Sequence, residues 1–172
     1  MILRGLLALL SGALAVAAIA EALHFGEIRV NMSASLPIGL YRITADQAAE
    51  LIEFCPAEPF GSLSAARDYR GTGNCSDGAE PLMKPIVARA GETVEVSAEG
   101  VAVDGEMLPN SAPLQFDTKH RSLPHWLFGE YRVKTGTVWV ISSYNARSFD
   151  SRYFGPVAIT AIRSRLIPVI TE

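Results

Sequence analysis

Lys84 stands in the run Pro81-Leu82-Met83-Lys84-Pro85-Ile86-Val87-Ala88, with no other charge until Glu80 on one side and Arg89 on the other. A free lysine amine has a pKa near ~10.4 and is a poor base at neutral pH. Apolar surroundings disfavour its charged form, and a neutral amine beside a serine hydroxyl can take its proton. The serine for such a pair is found in Asn31-Met32-Ser33-Ala34-Ser35-Leu36-Pro37-Ile38-Gly39-Leu40-Tyr41. Pro37 fixes its own φ and restricts Leu36, and Gly39 permits backbone angles closed to other residues. A turn of that kind can present Ser35 with its amide aimed at a reacting carbonyl, and the Ser33 hydroxyl, two residues earlier, can point to the same place.

A third segment, Ser148-Phe149-Asp150-Ser151-Arg152-Tyr153-Phe154-Gly155-Pro156, puts an acid and a base close enough in sequence to pair. Each segment also has an ordinary reading: a lysine on a solvent face, a Ser-Pro turn leading into a strand, a surface ion pair worth little. No Gly-x-Ser-x-Gly elbow is present, and the three histidines show neither triad nor metal-ligand spacing.

Cys55 and Cys75 are the only cysteines. In an exported domain such a pair reads as a disulfide closing a loop of about 20 residues; a metal pair and a catalytic thiol are the alternatives, and neither cysteine has a histidine nearby. Export is indicated by the N-terminus, where Arg4 precedes an uncharged run over residues 5–20. That run falls short of the ~20 residues of a spanning helix, and reaches that length if Glu21 is interfacial and the segment continues to Phe25. Ala18-Ile19-Ala20 and Ala20-Glu21-Ala22 also fit a cleavage site, so a retained anchor and a removed signal both stand. In either case the positive end favours the cytoplasm and the body of the chain lies outside.

The elements that must position these side chains are mostly strands. Residues 38–43, 51–55, 83–90, 93–96, 101–103, 137–141 and 159–170 have strand composition, with an Asp104-Gly105 hairpin turn in the middle of the set. Helix signals outside the N-terminus are weak and fall on residues 45–51 and 62–69. Residues 56–81 read as a loop, and residues 110–123 carry no clear period. The expectation is a mainly β, antiparallel domain over residues 26–172 behind an N-terminal segment over residues 1–25. A chain of 172 residues can bury a real core, and a net charge of −3 with a pI near 5.6 argues against a nucleic-acid partner.

Taken in order, Ser35-Leu36-Pro37, Leu82-Met83-Lys84-Pro85 and Asp150-Ser151-Arg152-Tyr153-Phe154-Gly155 resemble the three motifs of the type I signal peptidases. Those enzymes carry Ser-Met-x-Pro, Met-x-Lys-Arg and Asp-Ser-Arg-Tyr-Trp-Gly. The resemblance runs from about Asn31 to the C-terminus, and the hairpin over residues 93–108 is similar to the segment after the family's lysine strand. Within that superfamily the chain looks most like the TraF-type conjugative-transfer peptidases. It shares with them the short Ser35-to-Pro37 spacing, Pro37-x-Gly39-Leu40-Tyr41, Phe54-Cys55-Pro56, the Phe149-Asp150 ending and a second cysteine. It departs from the leader peptidases in having Pro85 after the lysine and Ser142-Ser143-Tyr144-Asn145-Ala146-Arg147 in place of a glycine-rich charged segment.

The resemblance implies Ser35 as nucleophile, Lys84 as general base and Asp150 as a third residue important to activity. It implies the Ser35 amide, with help from Ser33, as oxyanion donor, Ser148 as orienter of the Lys84 amine, and Asp150 with Arg152 as support for the lysine strand. No metal or organic cofactor is required. The implied partner is a membrane-inserted pilin or preprotein, cut at the periplasmic side of the inner membrane, with water or the pilin's own amine as second nucleophile. A signal peptidase of broader specificity and a non-enzymatic exported β protein of a transfer apparatus are the alternatives.

Overall fold

The computed structural model describes residues 2–24 and 27–172. Met1, Phe25 and Gly26 lie outside the described residues, and with them the expected boundary between residues 25 and 26. Helix α1, Ile2–His24, is built from leucine and alanine, which lose little entropy in a helix. From Leu10 to Glu21 its side chains are exposed, among them Leu10, Leu14, Val16 and Ile19. Among the described residues no helix is long and apolar enough to cross a membrane.

The body is mainly β. Its strands are β1 (Ile28–Asn31), β2 (Gly39–Thr44), β3 (Leu51–Phe54), β4 (Leu82–Ala88), β5 (Thr93–Val96) and β6 (Val101–Val103), then β7 (Glu106–Met107), β8 (Gly129–Arg132), β9 (Thr137–Val140), β10 (Val157–Ala158) and β11 (Ile162–Thr171). Two short α-helices interrupt them, α2 (Phe60–Ala66) and α3 (Ser151–Phe154), and a 3-10 turn, Ile159–Ala161, leads into β11. Seven strands form one sheet in the order β1-β2-β11-β3-β4-β9-β10, and β7-β6-β5-β8 form a second, with neighbours antiparallel throughout.

The long C-terminal strand β11 inserts between β2 and β3, so the chain's last strand lies beside the turn that carries Ser35. Gly39 makes this approach possible. Its φ is +151°, and a Cβ there would lie 2.0 Å from the Ile170 carbonyl oxygen of β11. The Asp104-Gly105 pair forms the tight turn between β6 and β7 expected of it, with φ of 47° and 85°.

Period-two alternation on β4 buries Leu82, Lys84, Ile86 and Ala88 and leaves the intervening residues half-buried. Leu82 and Ile86 join Ile52, Phe54, Val140, Phe149 and Tyr153 in one core. Ala88 reaches a second core with Val94, Val96, Val101 and Trp139. Lys84 is therefore a charged residue placed on a strand's core face, between two apolar ones.

Three expectations need correction. Residues 45–51 form a turn rather than a helix, with Asp46 Oδ1 accepting from the Ala48 amide and the Asp46 carbonyl from the Ala49 amide. Strands β1, β8 and β10 were not expected; at four residues or fewer each is too short to show a period against its surroundings. The helix expected over residues 62–69 is present as α2, starting two residues earlier, and the rest of residues 56–81 is organised by more than a crosslink. The Cys55–Cys75 disulfide is formed, with 5.8 Å between Cα atoms. Inside the loop it closes, buried Arg70 donates to Ser64 Oγ and to the carbonyls of Gly61 and Glu80, and pairs with Asp77.

Candidate active site

The turn between β1 and β2 is held from within by Asn31. Its side chain is buried, and Nδ2 faces the carbonyls of Ser33, Leu36 and Pro37 at 2.9, 3.1 and 3.0 Å. Asn31 Oδ1 accepts from the Ser33 amide at 3.1 Å and the Ser33 hydroxyl at 2.8 Å. Tyr41 adds a bond from its hydroxyl to the Pro37 carbonyl at 2.6 Å. With the carbonyls turned inward, nothing among the described residues accepts a hydrogen bond from the Ser35 N–H.

Ser35 and Lys84 line the same cavity, of about 190 Å³, with Leu82, Leu123, Phe149 and Tyr69 among its walls. Both also line an adjoining groove of about 590 Å³ that runs past Asn31, Ser33 and Glu80. The two side chains thus sit where an apolar pocket opens into a more polar cleft. Lys84 is 2 % exposed. Burial lowers its pKa from 10.5 to about 8, with Arg152 acting in the same direction and the Asp150 carboxylate opposing. At neutral pH about a tenth of such amines are unprotonated, against less than a thousandth for a free lysine. Neither the Ser35 hydroxyl nor Lys84 Nζ has a hydrogen-bond partner among the described residues; contacts of this kind in unliganded enzymes tighten when substrate binds.

Asp150 and Arg152 lie beneath the site, both fully buried. Asp150 caps α3 by accepting from the Arg152 amide, and its other oxygen accepts from the Ser142 amide at 3.1 Å. Arg152 also donates to the carbonyls of Asn110, Ala146 and Ser142 at 2.7, 3.1 and 3.0 Å. Gly155 ends α3 at φ +74°, where a Cβ would meet the Trp126 ring at 2.6 Å.

The far wall comes from residues 110–123, the stretch without a clear period. Asp117 accepts from the Tyr69 hydroxyl at 2.7 Å and from Arg121 Nε at 2.7 Å, clamping this segment to the disulfide-bonded loop. Burial opposes ionisation of Asp117, but those bonds and the Arg121 and Lys119 amides outweigh it and hold the carboxyl well below its usual range.

Of the site residues expected from sequence, Ser35 and Lys84 share one cavity, and Asp150 with Arg152 sits next to Lys84. Ser33 lines the adjoining groove with its hydroxyl committed to Asn31. Ser148 Oγ is buried and has no hydrogen-bond partner among the described residues. Asn31, Ser142, Tyr69 and Asp117 were not singled out. Asn31 is the only one with a local signal, a residue that favours side chain-to-backbone turns placed just before the serine turn. Among the described residues no three His, Cys, Asp or Glu side chains are grouped to hold a metal.

The profile of the family described as "Signal peptidase, peptidase S26" matches residues 3–170. The chain is similar to "Plasmid transfer protein TraF" from Escherichia coli, 37% identical over 147 residues that cover 83% of this chain and 82% of the relative. It is similar to "Conjugal transfer protein TraF" from Agrobacterium tumefaciens (strain 15955), 33% identical over 182 residues, 98% of this chain and 96% of that one. The crystal structure of a signal peptidase I from Enterococcus faecalis V583 aligns with a TM-score of 0.38 and 18% identity, over 73% of this chain and 99% of that one.

Proposed function

The chain belongs to the signal peptidase S26 family, and from that membership and its TraF relatives we propose that it is an envelope serine endopeptidase that processes a pilin precursor for conjugative transfer. Ser35 is the nucleophile and Lys84 the general base. The observation that carries this reading is a lysine buried on the apolar face of β4, its pKa lowered to about 8, lining one cavity with a serine held on a braced turn.

The steps follow from these groups. The Ser35 hydroxyl adds to a peptide carbonyl as Lys84 accepts its proton, and the developing oxyanion takes a hydrogen bond from the free Ser35 N–H. Lys84 returns the proton to the departing amine, leaving an acyl-enzyme on Ser35. Water then adds and releases the acid; attack by the pilin's own N-terminal amine releases a ring instead. Asp150 and Arg152 hold the floor against which Lys84 packs. The apolar cavity beside the dyad suits a small apolar side chain preceding the cut bond. The exposed apolar side chains of α1 support placing that helix in or against the membrane, where a substrate cut near its own membrane segment would meet the site.

The test is co-expression of the pilin precursor of the same transfer system with the unaltered chain, Ser35→Ala and Lys84→Ala, followed by intact mass spectrometry of the pilin. Loss of processing in both variants is expected, and a product lighter than the hydrolysed form by one water identifies cyclisation. Processing at the unaltered rate in both variants would remove the dyad.

A further inference from the structure

Ser142 follows β9, 107 residues from the nucleophile in sequence, and is 0 % exposed. Its hydroxyl donates a hydrogen bond to the Ser35 carbonyl. The same oxygen accepts from the Tyr144 amide at 3.3 Å, which leaves its proton directed at Ser35. The Ser142 backbone is bound to the buried pair: its amide donates to Asp150 Oδ2 at 3.1 Å, and its carbonyl accepts from Arg152 Nη2 at 3.0 Å.

These bonds place Ser142 between the Asp150–Arg152 pair and the backbone of the nucleophile. Asn31 fixes the carbonyls of residues 33, 36 and 37 from the near side of the turn. Asn31 does not hold the Ser35 carbonyl; Ser142 holds it instead, from 107 residues away in sequence. Anchoring that carbonyl sets the plane of the peptide following Ser35 and so restricts ψ of the nucleophile itself. A hydroxyl on a single carbon suits the position: alanine or glycine lacks the donor.

We propose that Ser142 is a positioning residue for the nucleophile, transmitting the fixed geometry of the Asp150–Arg152 pair to Ser35. This rests on the reading of Ser35 and Lys84 as the reacting pair. Among the described residues Ser142 makes no hydrogen bond to Lys84 and is not among the causes of its lowered pKa, so it acts on the rate of acylation and leaves the protonation of the base alone. Misplacing a nucleophile by about 1 Å can cost a factor of about a hundred.

The experiment compares the full chain in detergent with Ser142→Ala and Ser142→Thr, using the pilin precursor of the same transfer system as substrate. Ser142→Ala is expected to lower kcat by between about tenfold and a hundredfold. KM should stay within about threefold, the pH at half-maximal activity should not move, and the thermal midpoint should stay above the assay temperature. Ser142→Thr, which keeps the donor, should recover part of kcat. Unaltered kcat in Ser142→Ala overturns the proposal, as does a shifted pH profile, which would place the effect on Lys84. Loss of kcat through unfolding at the assay temperature in both variants overturns it too, since that is a structural role. Ser35→Ala is run alongside. An active Ser35→Ala removes the dyad and this proposal together, whereas an inactive Ser35→Ala beside a normal Ser142→Ala removes this proposal alone.

Discussion

Arg152 closes on Asp150 through two hydrogen bonds, Nε to Oδ1 at 2.8 Å and Nη2 to Oδ2 at 3.0 Å, and neither side chain has any solvent exposure. A buried pair of this kind is costly to break from one side, because the partner is left charged and unpaired. Asp150→Ala is therefore expected to destabilise the fold by about 3–5 kcal/mol. Asp150 also caps α3 and accepts from the Ser142 amide, so activity should fall even where the variant remains folded. Urea unfolding followed by tryptophan fluorescence checks the first expectation, reporting on Trp139 in the second core. A loss under about 1 kcal/mol would show that the Arg152 carbonyl partners suffice to hold it.

The second expectation concerns pH and activity. With the free amine as base, kcat/KM should rise with pH along a limb centred near 8, the value to which burial lowers Lys84. Between pH 6 and pH 8 the rise is about fiftyfold for a single deprotonation. A limb centred near 10.5, the ordinary lysine value, would show that the amine titrates as if exposed.

Lys84 should also weaken the fold, and the sign can be stated. Its pKa is lower folded than unfolded, so between about 8 and 10.5 the unfolded chain binds more protons, and stability rises with pH across that window. Below it both states are protonated, and the folded state carries the full penalty of a buried ammonium, about 3 kcal/mol. Lys84→Met keeps the volume and removes the charge. It should be inactive yet more stable at pH 7 by up to about 3 kcal/mol, with the gain shrinking toward pH 10.5. Equal stability of the two proteins at pH 7 in urea melts would refute this.

Much of the site was legible because its parts are local. Lys84 stands out as a lone charge in an apolar strand, Ser35 precedes a proline that stiffens its turn, and Asp150 and Arg152 are two residues apart. The bracing was not legible. Ser142 and Ser35 are joined across 107 residues by one hydroxyl, and a serine in Val140-Ile141-Ser142-Ser143 looks like any strand end. The same holds for Tyr69 and Asp117, brought together by a loop whose order depends on buried Arg70 rather than on hydrophobic periodicity. In the fold, nearly continuous apolar runs such as β4 were read closely. The four-residue β1 and β8 were not: each is too short to show a period, and β8 owes its pairing to β5, more than thirty residues earlier.

Asn31 supplies the last expectation, and its two ends separate two effects. Among the described residues Oδ1 serves the Ser33 amide and hydroxyl, while Nδ2 is turned toward three carbonyls. Asn31→Ala leaves the buried Leu36 carbonyl without a donor and should cost about 2 kcal/mol, with kcat falling more than tenfold as the Ser35 turn relaxes. Asn31→Asp retains the acceptor for Ser33 and replaces the amide with an oxygen facing carbonyl oxygens. If Nδ2 is what shapes the turn, Asn31→Asp should be as damaging as Asn31→Ala, or worse. If the contact to Ser33 is what counts, Asn31→Asp should behave as the unaltered chain does. Parallel thermal melts and precursor-processing rates for the two variants decide between these, and the three carbonyl contacts predict the first result.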